Sequence, residues 1–202
     1  MGQDAADRPV MGFPPLRPLH SPGMDNPPDL VLAIPRRELY RVSGFTRKVD
    51  FAILDMLADE TWFAAPVTLV GNLDAKEVRL GVVAERPGED GKPQLLVEEA
   101  GVLVHAASIP PEVGTLGPGL AALRKLALVS GRHLVGAEGG TVELVGYCND
   151  ESLPECRAFF LLIYRLRVPA GTSAPAGMSW INAASLASVP LDPVSALIAH
   201  GW

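Results

Sequence analysis

Residues 119–131, GLAALRKLALVSG, are the stretch that decides the fold. Between Leu120 and Val129 every position is apolar except Arg124 and Lys125, a pattern typical of a helix covered on most of its surface. Gly131 is well placed to end that helix in the left-handed conformation. The segment 110–118 before it holds three prolines and two glycines, which helix and strand both exclude. We therefore expect one long, largely buried helix that is entered from a loop.

Short aliphatic and β-branched runs on both sides of this helix predict strands. They are Leu30–Ile34 (ended by Pro35), Val67–Val70, Val78–Ala84, Gln94–Val97, Val102–Ala106, Thr141–Cys148, Arg157–Val168 and Met178–Asn182. The Asp90-Gly91 pair favours a hairpin between the third and fourth runs. Apolar residues at helical spacing from Val49 to Leu57 predict an amphipathic helix with Thr46 as its cap, and Asp192-Pro193 predicts the start of a last short helix.

Composition narrows the class of protein. The chain has 202 residues, 48% hydrophobic and 20% charged, enough apolar material for a full core. Its net charge of −6 gives no general attraction to nucleic acid or to an anionic membrane. The longest aliphatic and aromatic run, Ala158–Tyr164, is far shorter than the roughly 20 residues that span a bilayer. Cys148 and Cys156 are too few for a disulfide framework and are expected to be reduced thiols, so we expect a cytoplasmic protein.

The chain divides into two parts by composition. Residues 1–28 carry seven prolines and few aliphatic residues, which predicts a proline-rich, disordered tail. Residues 29–202 alternate predicted strands and helices without a visible repeat. We therefore expect a single α+β domain over 29–202.

Four pieces of this domain, in order, resemble the Nudix hydrolases, in particular the branch of phosphoesterase-like members. Residues 31–39, VLAIPRREL, resemble that branch's opening strand and P-R-x-E-L turn. Residues 101–105, GVLVH, stand where the family has a G-V-G-G-H strand, and residues 146–152, GYCNDES, followed by Arg157, resemble G-Y-I-N-D-D-S…R. Trp180-Ile181 followed by Leu186 resembles a late W-[VI]…L pattern. The resemblance implies an α/β/α sandwich around a mixed β-sheet.

The family's signature, G-x5-E-x7-R-E-U-x-E-E-x-G-U, where U is bulky and apolar, fits the helix in only one respect. With the late glycine on Gly131, the signature arginine falls on Arg124, but the four glutamates fall on Leu116, Lys125, Leu128 and Val129. A hard divalent cation needs several oxygen ligands, and these side chains supply none. We therefore expect no metal cofactor, and no metal-dependent hydrolysis, on this helix. Leu128 and Val129 form an apolar face that needs a cover, which predicts an interface with a second copy or another protein.

Other residues could still carry chemistry. Glu98, Glu99, Glu112, Asp150 and Glu151 are the acidic side chains from which a relocated Mg²⁺ or Mn²⁺ site would have to be built. Each adjacent pair is better explained as a solvated turn, because neighbouring strand residues point to opposite faces and so do not share a metal ion easily. His105 matches a family position and is otherwise a structural histidine at a strand end. Arg157 would hold a phosphate in the ligand cleft or, equally, pair with Asp150, Glu151 or Glu155.

Three functions follow from these residues. The leading one is a non-catalytic Nudix-like module that senses a phosphorylated small molecule through Arg157, His105, Asp150 and Glu151, or that binds a protein partner. The second is a metal-dependent phosphoanhydride hydrolase of nucleoside diphosphate derivatives with a relocated acidic site. The third is an unrelated α+β domain whose short matches are coincidental.

Overall fold

A computed structural model describes residues 29–40, 43–47, 51–116 and 119–202. The strands are β1 Val31–Pro35, β2 Gly44–Thr46, β3 Trp62–Ala64, β4 Ala75–Pro87, β5 Pro93–Glu98, β6 His105–Ser108, β7 Thr141–Asn149, β8 Phe159–Arg167 and β9 Met178–Asn182. The α-helices are α1 Phe51–Asp59, α2 Gly119–Val135 and α3 Pro193–Gly201. Short 3-10 helices span Arg36–Leu39, Pro66–Thr68, Pro111–Leu116, Pro154–Arg157 and Ala183–Ser188. The proline-rich segment 1–28 lies outside the described residues.

The strands form one mixed sheet organised around β4, in the order β2-β7-β8-β4-β1-β3. One edge of β4 pairs with β8 in parallel, from Glu77 opposite Phe159 to Glu85 opposite Arg167. Its other edge pairs in succession with β1, β6 and β5, all antiparallel, and β9 pairs with β5. Because its 13 residues contact four strands, β4 connects both ends of the molecule.

Helices cover both faces of the sheet. Alternate residues of β8 divide between two cores, because successive side chains of a strand point to opposite faces. Phe160, Leu162, Tyr164 and Leu166 pack with the buried residues of α1 and α2, whereas Leu161 and Ile163 pack with Ile198 of α3. We call these the α2 face and the α3 face. This arrangement confirms the predicted α/β/α sandwich around a mixed sheet.

Two predicted local signals are confirmed, namely the start of α3 and the hairpin between β4 and β5. The Asp192 carboxylate accepts hydrogen bonds from the backbone of Val194 at 3.0 Å and of Ser195 at 3.1 Å, and α3 begins at Pro193 as predicted. The hairpin between β4 and β5 closes through a bond of 2.7 Å from Gly88 N to Lys92 O, and Gly91 adopts a positive φ of 76°.

Four local predictions are wrong. Val67–Val70 is a 3-10 turn rather than a strand, because Pro66 starts the turn and both valines are solvent-exposed, so burial gives no reward for pairing them. Thr46 lies in β2 and does not cap α1. The strand expected at Val102–Ala106 is displaced to His105–Ser108, since the backbone amides of Leu103 and Val104 donate to Ser195 Oγ. The strand expected from Arg157 is β8, which starts at Phe159, because Pro154 begins a 3-10 helix that takes in Arg157.

The end of α2 also differs from the prediction. Gly131 is buried inside the helix, which continues to Val135, and Gly136 with a φ of 62° follows it. A Cβ atom on Gly131 would stand 2.9 Å from Leu166 Cδ2 and 3.2 Å from Val82 Cγ1. The glycine therefore lets α2 lie close against β4 and β8 and does not serve as a stop signal.

Candidate functional site

The signature positions lie on α2 and, for Leu116, at the end of the 3-10 helix before it. Lys125 Nζ donates a hydrogen bond of 2.6 Å to the backbone oxygen of Leu116, the last residue of the preceding 3-10 helix. Arg124 Nε donates to Val142 O at 3.0 Å and so ties the helix to β7. Lys125 and Leu116 stand at two positions that the signature assigns to glutamates. Here a hydrogen bond from the Lys125 ammonium group to the Leu116 carbonyl oxygen joins these two positions.

The other two signature positions differ in their surroundings. Leu128 is half-buried and packs against the core of the α2 face. Val129 is 59% exposed, and Leu120 on the same helix is 38% exposed. The sheet thus covers part of the predicted apolar face, and Val129 remains open to solvent. An interface over it stays a prediction.

The acidic candidates for a relocated metal site are spread over the molecule. Glu98 ends β5 and lies 3.3 Å from His105 Nδ1, Glu99 follows in an exposed turn, and Glu112 lies on the exposed side of a 3-10 helix. Asp150 and Glu151 follow β7. Within the described ranges, no group of three or more His, Cys, Asp or Glu side chains is placed to hold a metal ion.

His105 does not belong to the same place as Arg157. It stands opposite Val82 of β4, whereas the residues after Arg157 pair with β4 at Glu77, a difference of five residues or about 17 Å along the strand. Burial lowers the pKa of His105, with the charges of Glu98 and Asp192 opposing this shift. His105 is therefore held in its neutral form on a partly buried strand.

Two of the four motifs that carry the resemblance, residues 31–39 and 146–152, meet in space around a lysine. We call this place the motif pocket: a cavity of about 290 Å³ lined by Arg36, Leu39, Tyr40, Ser43, Asn149, Asp150, Glu151 and Ser152. Lys76, at the start of β4, is fully buried beside it. Its ammonium lies 2.7 Å from Glu151 Oε1, 2.7 Å from Asn149 Oδ1 and 3.0 Å from Cys156 O. All three of its N–H donors are thus used.

Arg36 completes this network from the other motif. Its Nη1 reaches both oxygens of Glu151 at 3.0 Å, Nε donates to Asn72 O at 3.0 Å, and Nη2 donates to Arg157 O at 2.6 Å. Arg157 in turn donates from Nε to Glu151 O at 2.9 Å. Of the sequence-predicted contacts, Asp150, Glu151 and Arg157 are therefore brought together.

Charge in the motif pocket follows from this geometry. Burial lowers the pKa of Lys76, although the hydrogen bond and charge of Glu151 oppose it. Burial works to raise the pKa of Glu151, but Lys76 and Arg36 outweigh it and the pKa is lowered. Hydrogen bonds from Ser152 lower the pKa of Asp150. Both carboxyl groups are therefore ionised near neutral pH.

Sequence reasoning missed Lys76. The predicted strand began two residues later, at Val78, because a lysine beside a glutamate is usually exposed at a strand end. A signal was present, since Lys76 alternates with Val78 and Leu80 on what becomes the buried α2 face. Cys148 and Cys156, predicted to be reduced, are both free thiols and both buried.

No protein-family model and no curated protein matches the chain, but solved structures do. Tm1382, a candidate Nudix hydrolase, superposes with a TM-score of 0.69 at 14% identity over 86% of this chain and 97% of its own. The Nudix domain of NrtR from Shewanella oneidensis, complexed with ADP ribose, has a TM-score of 0.45 at 10% identity over 68% and 96%. A mutT/nudix family protein from Listeria innocua has a TM-score of 0.42 at 12% identity over 61% and 90%. At such identities, structural similarity establishes the fold alone. The superposition on Tm1382, with its TM-score of 0.69, shows that this chain has the Nudix fold.

Proposed function

From the Nudix fold as premise, we propose that the chain is a binding module for a phosphorylated small molecule and does not hydrolyse it through a metal ion on α2. The observation that carries this proposal is the hydrogen bond between Lys125 Nζ and Leu116 O. The resemblance assigns both positions to glutamates that would bind Mg²⁺ or Mn²⁺. Here a positively charged ammonium group takes their place.

Electrostatics and ligand chemistry both favour this proposal. Magnesium and manganese ions are held by oxygen ligands, above all carboxylates. An ammonium group repels such a cation, and its hydrogen bond to Leu116 O also occupies a carbonyl oxygen nearby. Leu128, half-buried against the core, offers hydrocarbon in place of a third carboxylate. These three residues give a divalent ion neither ligands nor a favourable potential.

For the ligand contact we propose the edge of the motif pocket, where Arg157, which does not line the cavity but is bonded to its residues Arg36 and Glu151, binds a phosphate. Arg157 is exposed, and none of the described carboxylates forms an ion pair with it. Its Nε is used by Glu151 O, which leaves the two terminal nitrogens of the guanidinium group to bind a phosphate in a bidentate manner. Arg36 and Lys76 are fully engaged with Glu151 and hold the pocket in shape.

Two measurements on the full chain test the absence of catalysis. The first follows the release of phosphate or nucleotide from a panel of nucleoside diphosphate derivatives with Mg²⁺ or Mn²⁺, and we expect none above the uncatalysed rate. The second is Mn²⁺ electron paramagnetic resonance, for which we expect the spectrum of the free aqueous ion. Turnover that Glu98→Gln or Glu99→Gln abolishes, and that Glu89→Gln on the hairpin tip leaves intact, would establish the relocated-metal hydrolase instead.

Binding is tested separately by calorimetry with the same panel, without metal. We expect a ligand whose affinity falls roughly 10- to 100-fold in Arg157→Gln, the effect of losing one charge-assisted contact. The control is Arg37→Gln, a neighbouring exposed arginine that pairs with Glu38 and Glu60. Equal affinity of the two variants would exclude Arg157 as the contact.

A further inference from the structure

The connection between β3 and β4, residues 65–74, exposes a group of large apolar side chains. Val67, Val70 and Leu73 are 77%, 82% and 82% exposed, and Trp62 of the preceding strand is 42% exposed. These four are half of the large apolar side chains that the described residues expose. We call them the loop surface. Apolar patches of this kind mark interaction sites on folded proteins.

The connection crosses over β1 on the α3 face. It leaves β3 at Ala64 and enters β4 at Ala75, which pair with opposite ends of β1. Leu69, near its middle, is buried with Val31, which adjoins Leu32 of the α2 face and so lies on the α3 face. Helix α3 packs against β2, at the other edge of the sheet. At the β1 end the connection therefore covers the core, and its outer side is the loop surface.

Trp62 borders the connection. It pairs with Ala33, which lies between the two ends of β1 and packs with Leu69. Paired residues of neighbouring strands point to the same face of a sheet, so the indole ring lies on the α3 face beside the connection. Trp62 and the three side chains of the connection thus form one surface.

Hydrogen bonds hold the connection in place. The backbone N of Arg36 donates to Asp74 O at 2.8 Å, and Arg36 Nε donates to Asn72 O at 3.0 Å. Asn72 Oδ1 accepts from Asp74 N at 2.8 Å and from Ala75 N at 3.0 Å. Asn72 Nδ2 donates to Thr68 O at 3.0 Å. A partner would therefore meet a preformed surface and lose little entropy in ordering it.

The loop surface is uncharged. Residues 61–73, TWFAAPVTLVGNL, contain no Asp, Glu, Lys or Arg, although the net charge of the chain is −6. A charged partner, whether a protein or an anionic lipid surface, is recognised through side chains of opposite charge, and this stretch offers none. A second copy of the chain presents the same neutral surface, so two copies can meet there without repulsion between the contacting side chains.

The area is sufficient for a contact between two copies. At these exposures the four side chains offer about 500 Å² of accessible surface, so two copies would bury about 1,000 Å² in all. A specific interface needs at least about 1,000 Å². Homodimer interfaces are also more apolar than other protein surfaces, as the loop surface is.

We propose that the loop surface is the interface of a homodimer, in which two copies meet about a twofold axis. Both copies of such a dimer use the same patch, so residues near the axis face their own counterparts. Val70, midway between Val67 and Leu73 in the chain, stands nearest the axis. The interface involves neither α2 nor the motif pocket, so it stands independently of the proposed function.

Sedimentation velocity of the full chain across the micromolar range tests the dimer. We expect a dimer that dissociates on dilution, with a dissociation constant that rises roughly tenfold or more in Val70→Glu and in Leu73→Glu, because each variant places an unpaired charge in the interface. Both positions are exposed, so thermal unfolding of the monomeric variants should show an intact fold. The control is Ser173→Glu, which adds the same charge at an exposed position between β8 and β9.

Cross-linking tests the twofold axis. Both native cysteines are buried, so Val70→Cys gives the chain a single exposed thiol. Under mild oxidation by dissolved oxygen, we expect the disulfide between two copies to form roughly tenfold faster or more than in Glu89→Cys on the hairpin tip, because the dimer raises the effective concentration of the two thiols. Equal rates in the two variants would refute the twofold contact at Val70.

Two other results overturn the proposal. One is a monomer at every concentration, whether residues 1–28, a lipid surface or another protein then covers the loop surface. The other is a dimer that Val129→Glu dissociates and Val70→Glu does not, because the contact would then lie on α2.

Discussion

Lys76 and Glu151 form an ion pair with very unequal burial, and this predicts an unequal response to mutation. The lysine side chain is 0% exposed, whereas the glutamate side chain is 51% exposed. Intuition assigns the larger effect to the buried partner. We expect the reverse: Glu151→Ala destabilises the fold more than Lys76→Met does.

The magnitudes follow from what each substitution leaves behind. Glu151→Ala leaves a buried ammonium with only the neutral acceptors Asn149 Oδ1 and Cys156 O. Breaking a buried pair costs roughly 3–5 kcal/mol, and we expect about 3 kcal/mol because water screens the half-exposed carboxylate. Lys76→Met leaves no buried charge, since Glu151 keeps Arg36 and solvent. Its cost is the loss of hydrogen bonds to two buried acceptors, about 1–2 kcal/mol.

Equilibrium urea unfolding of both single variants and of the double variant measures these values. Once Lys76 is replaced by methionine, removing Glu151 no longer leaves a buried ammonium group without its partner. The double variant should therefore resemble Lys76→Met, and the coupling energy between the two positions should be about 2–3 kcal/mol. Additive effects, or a larger loss in Lys76→Met than in Glu151→Ala, would refute the reasoning.

Alkaline pH supplies a second check on the same pair. Burial lowers the pKa of Lys76 from its ordinary value of 10.5. The unfolded chain then holds the proton at a pH where the folded chain has released it, so stability rises with pH in that window. Without Glu151 the window widens, because its hydrogen bond and charge no longer oppose burial. The deficit of Glu151→Ala should therefore shrink as the pH rises towards 10.5, the ordinary pKa of lysine.

Three further predictions concern other places in the fold. Gly131→Ala should lower the free energy of unfolding in urea by about 1 kcal/mol, because the cost of overpacking against Leu166 and Val82 exceeds the gain of roughly 1 kcal/mol in helix propensity. A stabilised variant would contradict the close approach of α2 to the sheet. Burial lowers the pKa of His105, so as the pH drops below about 6.5 the unfolded chain takes up this proton before the folded chain does, and the folded state loses stability. The melting temperature of His105→Gln should therefore fall less than that of the wild type over this range. Parallel curves for the two proteins would show that His105 is not the source of the pH dependence. If α2 forms an interface between copies, Val129→Glu should reduce the size measured by light scattering at micromolar concentration, with Glu89→Gln as control; a wild-type monomer of unchanged size would remove the interface.

The sequence predicted those parts of the fold whose causes are local. Asp192 and Pro193 start α3 through bonds that span three residues, and Asp90-Gly91 closes a hairpin through adjacent strands. Val67–Val70 was mistaken for a strand because β-propensity describes a half-buried surface, and these valines have none to pack on. The role of Gly131 depends on Leu166, 35 residues later, which no window around the helix contains.

The same distinction between local and long-range causes applies to the candidate sites. The signature positions could be found because they lie between residues 116 and 131, and Asp150, Glu151 and Arg157 because they lie within eight consecutive residues. Lys76 joins Asn149 and Glu151 across more than 70 residues. Such a site depends on strand register, and a one-residue slip would send Lys76 to the other face of the sheet.

The parallel pairing of β4 with β8 also bears on how the chain matures during translation. Each β4 residue from Glu77 to Glu85 pairs with a β8 residue that lies 82 positions later in the chain, as Glu77 does with Phe159. A nascent chain that has emerged only as far as α2 therefore presents a long apolar strand with one edge bare, a state prone to aggregate. Such long-range closure slows folding, so we expect a product truncated before residue 159 to need a chaperone, and one extended through residue 167 to become independent of it.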